Sequence, residues 1–271
     1  MQSYETLPNG LSVPKIGFGC WKIGGGNSAD PSQDDWSLTA LRSALALGYT
    51  HFDTAETYAN GHSEELTGRA ARDVGIDREK LFITSKVSPS HLDYQAVLRS
   101  CEASLRRLQM DYLDLYLIHW PVANMRLGES FRALNQLVSD GKVRHLGVSN
   151  FDLSQLKLAQ SVSATPILTN QVPYSLSDRS YVKSGVIPYC QANDILVTAY
   201  SPVNQGSLPV SPALQAIADT HDATPYQIAL AWLVQQPRVI TIPMSGNPQH
   251  QADNLAAAEI VLGEEELSLL N

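Results

Sequence analysis

The sequence predicts an eight-stranded parallel α/β barrel. Three observations lead there. Short apolar runs alternate with longer amphipathic stretches, the apolar runs number eight, and the 271 residues, 44% of them hydrophobic, match the roughly 250 residues such a barrel needs. One domain covering residues 1–271 is expected.

At the N-terminus, Glu5-Thr6-Leu7-Pro8-Asn9-Gly10-Leu11-Ser12-Val13 sets Asn-Gly between apolar positions, a signal for a tight hairpin that would close the bottom of the barrel. The predicted strands are 15–20, 50–53, 81–86, 113–119, 145–149, 167–170, 196–200 and 239–242. Between them, residues 34–47, 63–74, 94–107 and 153–160 repeat apolar side chains at spacings of three and four, the mark of helices with one buried face. Gly48 and Gly75 follow helical runs where a left-handed residue is wanted, and Ser63, Asp93 and Asp152 stand at N-cap positions. Near the end, 213–220 is helical, and Thr224-Pro225 opens a second helix over 226–236, with Pro in the turn that needs no N–H. Gly24-Gly25-Gly26-Asn27-Ser28 reads as a flexible surface loop, because no strand-to-helix phosphate motif surrounds it.

A formal charge of -8 argues against nucleic acid and anionic membranes, which demand a concentrated basic surface. Cys20, Cys101 and Cys190 lack metal-ligand spacing and predict neither metal nor disulfide. No segment approaches a membrane span and no basic-then-apolar leader opens the chain, so a cytoplasmic protein acting on small molecules is expected.

Chemistry on such a barrel belongs at the C-terminal rim of the strands. Asp53, Lys86 and His119 end the second, third and fourth strands, and Tyr58 follows in the loop after Asp53. Taken singly, each reads as a paired surface charge or a structural group. Together, Lys and Asp beside a Tyr would stabilise phenolate, pull the Tyr pKa from about 10 toward neutrality and make it a proton donor.

The chain resembles the aldo-keto reductase family from Leu7 to about Leu267. The motifs that carry the resemblance, in order, are Gly17-Phe18-Gly19-Cys20-Trp21, Phe52-Asp53-Thr54-Ala55 with Tyr58, Thr84-Ser85-Lys86-Val87, 111–121 ending Ile118-His119-Trp120-Pro121, Gly147-Val148-Ser149-Asn150-Phe151, Asn170-Gln171 and Ala199-Tyr200-Ser201-Pro202. The resemblance implies a (β/α)8 TIM barrel and an NADP-dependent oxidoreductase of the alcohol dehydrogenase type that reduces aldehydes and ketones. Its Tyr58 protonates the carbonyl oxygen, Lys86 and Asp53 tune that Tyr, and His119 orients the carbonyl. Trp21 and Trp120, with Tyr58 and His119, match walls of the substrate pocket.

The resemblance also implies the cofactor contacts. Ser149, Asn150 and Gln171 match carboxamide ligands, Tyr200 the ring stacked on the nicotinamide, and Ser201, Pro202 and Val203 the segment beside the pyrophosphate. Gly19, Cys20, Asp53, Trp21, Ser207 and Ile242 complete that part of the set. In Met244-Ser245-Gly246-Asn247-Pro248-Gln249-His250, followed by Asp253 and Asn254, the sequence departs from the family: Met244 and His250 replace the Lys and Arg that grip a 2′-phosphate. NADP(H) remains the expected cofactor, with weakened discrimination against NAD(H).

Val172-Pro173-Tyr174 after Gln171 resembles bacterial reductases of small aldehydes and diketo sugars, and the short C-terminus predicts an open pocket. A monomer is expected. Two other readings stand beside the reductase: a redox-sensing regulatory subunit of the same superfamily with little turnover, and a Schiff-base enzyme using Lys86.

Overall fold

Ile16 bridges Thr241 in parallel register, and the amide of Gly17 donates to the Thr241 carbonyl at 2.8 Å, so the first strand of the large sheet returns to the last and the barrel closes. The computed structural model describes residues 2–271. A hairpin of β1 (Tyr4–Thr6) and β2 (Ser12–Pro14) precedes the barrel strands β3 (Phe18–Gly19), β4 (His51–Asp53), β5 (Phe82–Val87), β6 (Leu113–Ile118), β7 (Val143–Ser149), β8 (Ile167–Pro173), β9 (Leu196–Tyr200) and β10 (Val239–Thr241). These eight pair in sequence order, every pairing parallel, as a (β/α)8 barrel requires.

The helices are α1 (Asp34–Leu47), α2 (His62–Val74), α3 (Tyr94–Leu108), α4 (Leu127–Ser139), α5 (Leu153–Val162), α6 (Ser180–Lys183), α7 (Val186–Ala192), α8 (Pro212–Thr220), α9 (Pro225–Val234), α10 (Pro248–Ala256) and α11 (Glu264–Leu270). Their ends follow the sequence signals. Gly48 and Gly75 stop α1 and α2 at φ 99° and 71°, Asp93 caps α3 by accepting from the Ala96 amide, and Asp152 and Thr224 form capping boxes with Gln155 and Gln227. Ser63 is the exception. It lies inside α2, buried, and its hydroxyl donates to the Cys20 carbonyl at 3.0 Å, so Gly61 takes the cap position.

Side-chain alternation sorts each strand into an outer face under the helices and an inner face. Ile83 and Val87 of β5 join the large outer core with α3 residues such as Val97 and Leu105, while Phe82 faces inward. Inside the barrel, Leu115, Leu117, Leu168, Leu196 and Ile240 form a separate cluster, and the hairpin drives Leu7 and Val13 onto it from below. Arg238, just ahead of β10, fastens the hairpin by donating to Glu5 at 2.8 Å. Burying Val13 completely contributes about 1.5–3 kcal/mol. The hairpin turn differs from a two-residue Asn-Gly loop: the Gly10 amide donates to the Leu7 carbonyl at 2.9 Å, which centres the turn on Pro8-Asn9 and leaves Gly10 at φ 86°.

The glycine stretch after β3 is packed. Gly24 and Gly26 are buried, and the Gly26 carbonyl accepts from the Ala59 amide at 2.6 Å, tying this segment to the loop that carries Tyr58.

Candidate active site

Asp53 ends β4, where pairing with Gly19 and Thr84 on either side fixes its backbone and points its carboxylate inward at the upper rim. On its other side Gly19 lies against the segment after β10, where a Cβ would come 2.6 Å from the Ile242 carbonyl oxygen. Oδ1 of Asp53 accepts from Lys86 Nζ at 2.5 Å, and Oδ2 accepts from Gln171 Nε2 at 2.7 Å. Lys86, on β5 and wholly buried, donates also to the Thr54 carbonyl at 2.8 Å and to Tyr58 Oη at 3.2 Å. An ammonium has three protons and no acceptor, so all three are used.

Burial alone would lower the Lys86 pKa, but Asp53 and Tyr58 overcome it and the group is held above its ordinary value. A protonated, fully bonded amine is no nucleophile, which removes the Schiff-base reading. For Tyr58, burial is the largest influence and pushes the phenol upward; Lys86 opposes it, and Asp53 offsets part of that opposition. The expected fall toward neutrality is therefore corrected: the phenol is held above its ordinary value. Counting the neighbouring cation without the lost solvent gave the wrong sign.

His119 follows β6 directly, held by its amide to the Val87 carbonyl at 3.1 Å. Burial, aided by repulsion from Lys86, depresses its pKa to about 3, so the ring is neutral at pH 7. Its Nδ1 lies 3.1 Å from Thr57 Oγ1, and its ring meets Tyr58 edge-on with centroids 5.5 Å apart. Beside it, Asn150 Nδ2 donates to the His119 carbonyl at 3.2 Å and to Ser149 Oγ at 2.9 Å. Asn150 Oδ1 accepts from Tyr200 Oη at 2.9 Å, and Ser149 Oγ donates to the Gln171 carbonyl at 2.9 Å.

These groups open onto a cavity of about 1440 Å³ that continues across the rim to α10. Tyr58, His119, Asp53, Gly19 and Cys20 line it, with the exposed Trp21 and Trp120 beside them. Ser149, Asn150, Gln171, Tyr200, Ser201, Pro202 and Val203 line one side, and Ile242, Met244, Ser245, His250, Asp253 and Asn254 line the far end. Lys86 is not in the lining and meets the cavity through Asp53 and Tyr58, both of which it bonds and both of which line it. Ser207, Gly246 and Asn247 are not in the lining: Ser207 is an exposed residue in the loop after β9, Gly246 packs under Trp36, and Asn247 caps α10. Residues that sequence reasoning passed over also reach the cavity, among them Glu56, Thr57, Ser88, His91, Gln205 and Tyr226. Glu56 and Thr57 sit between Asp53 and Tyr58, so the loop position itself was the available signal; for Gln205 and Tyr226 there was none.

The aldo/keto reductase family profile matches residues 15–271. The chain belongs to that family. This aldo/keto reductase is 38% identical over 267 residues to methylglyoxal reductase YeaE of Escherichia coli (strain K12), covering 96% of this chain and 91% of the relative. It is 35% identical over 265 residues to glyoxal reductase of Bacillus subtilis (strain 168), covering 98% and 90%. Its fold superposes with a TM-score of 0.94 on a thermostable aldo-keto reductase solved with the inhibitor epalrestat, at 45% identity and with 99% and 98% of the chains covered. An aldo/keto reductase from Klebsiella pneumoniae in complex with NADP and acetate gives 0.86, at 36% identity and covering 100% and 94%.

At about 1440 Å³ the cavity exceeds the roughly 300–1,000 Å³ of drug-sized pockets. Gln171 Oε1 takes no hydrogen bond from the described residues and can accept from a carboxamide. No residue beyond Asn254 lines the cavity among the described residues. No helix among them is long and apolar enough to cross a membrane, and none of their side chains form a group able to hold a metal ion.

Proposed function

We propose that this aldo/keto reductase reduces small aldehydes and α-dicarbonyls to alcohols with NADPH, Tyr58 giving the proton to the carbonyl oxygen. One observation carries the reading. Lys86 must donate to Tyr58 Oη because an ammonium cannot accept, so the phenol's own proton is directed away from Lys86, toward the cavity that Tyr58 lines. Negative charge growing on the carbonyl oxygen meets that O–H and the neutral imidazole of His119, and as Tyr58 loses its proton the buried ammonium 3.2 Å away stabilises the phenolate. Asp53 holds Lys86 in place. When bound, the nicotinamide supplies the hydride to the carbonyl carbon.

The methylglyoxal and glyoxal reductase relatives support the substrate class, and the NADP-bound Klebsiella structure supports the cofactor. Ser149, Asn150, Gln171 and Tyr200 would hold the nicotinamide, and the residues around Ser245 the far end of the dinucleotide. That far end carries no Lys or Arg, and Gln249 donates to Asp253 there at 2.8 Å, so a 2′-phosphate finds Ser245, His250 and a nearby carboxylate. NADPH preference is accordingly weak, and NADH serves as a second donor. The protein acts as a cytoplasmic monomer with buried, unpaired thiols. The test is loss of NADPH absorbance across a panel led by methylglyoxal and glyoxal. Steady turnover supports the reading, and its absence across the panel contradicts it.

A further inference from the structure

We propose that Thr57 sets the tautomer of His119: its hydroxyl donates to Nδ1, which leaves the ring proton on Nε2, facing the substrate. This rests on the carbonyl-reducing reading and assigns Thr57 as a positioning residue within it.

Donors and acceptors decide the tautomer. A neutral imidazole has one N–H and one bare nitrogen, and the partner of one nitrogen decides which is which. His119 is neutral at pH 7, because burial and the ammonium of Lys86 both oppose a second proton. The Thr57 hydroxyl has no other side-chain or backbone partner, and it sits 3.1 Å from Nδ1. Nε2 has no partner among the described residues, yet it is not among the sealed polar atoms without hydrogen bonds, so it opens on the cavity that His119 lines.

The chemistry selects between the two arrangements. A carbonyl oxygen only accepts, so a ring with its proton on Nδ1 would present a lone pair to the substrate and repel it. With Thr57 donating to Nδ1, Nε2–H becomes a second donor beside Tyr58 Oη, on a ring kept edge-on to Tyr58. Thr57 directly precedes Tyr58, so the same loop that places the proton donor also fixes the donor next to it.

Long-range proton–nitrogen NMR on the imidazole of the intact protein reads the tautomer directly, with His119→Gln identifying its signals. In the unsubstituted chain His119 should show the Nε2–H pattern. Thr57→Val, which keeps the shape and removes the hydroxyl, should move the ring toward a mixed or Nδ1–H population and lower kcat/KM for methylglyoxal about tenfold, the scale of one lost hydrogen bond, while the Kd for NADPH stays within about twofold. Thr57→Ser should restore both the NMR pattern and the rate. An Nδ1–H pattern in the unsubstituted protein overturns the proposal whatever the variants do, as does an unchanged pattern in Thr57→Val. Failure of the unsubstituted enzyme to reduce any carbonyl would instead overturn the functional reading and leave the tautomer result standing.

Discussion

Lys86 Nζ lies 2.5 Å from Asp53 Oδ1, and neither side chain reaches solvent. A buried pair of this kind is judged by what its rupture leaves behind. Lys86→Met would strand the Asp53 carboxylate with Gln171 as its one remaining side-chain donor, and should destabilise the fold by about 3–5 kcal/mol in urea unfolding, besides abolishing turnover. Replacing both residues with a neutral pair, Asp53→Asn and Lys86→Met, should recover much of the stability and none of the activity. Equal losses in the single and double variants would show that the pair does not act as a unit.

Acid should weaken the fold through buried histidines. Burial lowers His51 from 6.5 to about 4, its ring packing against Gly17 and its Nε2 lying 3.1 Å from Thr84 Oγ1. Between those two pH values the unfolded chain binds more protons than the folded one, so this contribution is complete above pH 6.5 and is lost as pH falls toward 4. At about 1.4 kcal/mol per pKa unit, His51 accounts for about 2 kcal/mol of the difference between pH 7 and 4.5. His51→Gln should flatten the stability curve over that window by this amount; parallel curves would refute the assignment. His119, depressed to about 3, adds to the same slope and should leave no inflection of its own in kcat/KM between pH 5 and 8.

Cofactor discrimination should follow the far end of the cavity. NADPH should be preferred over NADH by less than a thousandfold in kcat/KM. Met244→Lys and His250→Arg should each raise that preference about tenfold or more, since a charge-assisted contact to phosphate is worth about 1.5–3 kcal/mol. A native preference beyond a thousandfold would mean that Ser245 and its neighbours hold the phosphate without a cation.

The hairpin should matter to stability and not to chemistry. Val13 is fully buried on the bottom cluster, far along the strands from Tyr58. Val13→Ala should cost about 2 kcal/mol and leave kcat within about twofold. A large change in kcat would show that the barrel floor is coupled to the rim.

Much of this was legible in the residues because a barrel repeats one pattern. Strands are short apolar runs and most helices amphipathic ones, α9 with its unbroken buried run Ile228 to Val234 being an exception, so 34–47 and 196–200 were placed to the residue. Strand ends were read less well where pairing decides them: β8 runs on to Pro173 because β9 pairs with it through Tyr200, which local sequence does not reveal. Ser63 looked like a cap and is a buried link between α2 and the Cys20 carbonyl. At the site, Asp53, Tyr58, Lys86 and His119 meet as their motif positions suggested. The direction of the Tyr58 shift was missed because solvent exclusion is a property of the assembled barrel. Ser207, Gly246 and Asn247, expected among the cofactor contacts, lie outside the cavity lining, where Gly246 packs under Trp36 and Asn247 caps α10.

The central claim is that Tyr58 is the proton donor, and Tyr58→Phe tests it most directly because one oxygen is removed and the ring stays. Steady-state reduction of methylglyoxal should fall at least a hundredfold in kcat while the Kd for NADPH, read by fluorescence, moves less than about twofold. A Tyr58→Phe protein that binds NADPH and keeps most of its kcat would contradict the account.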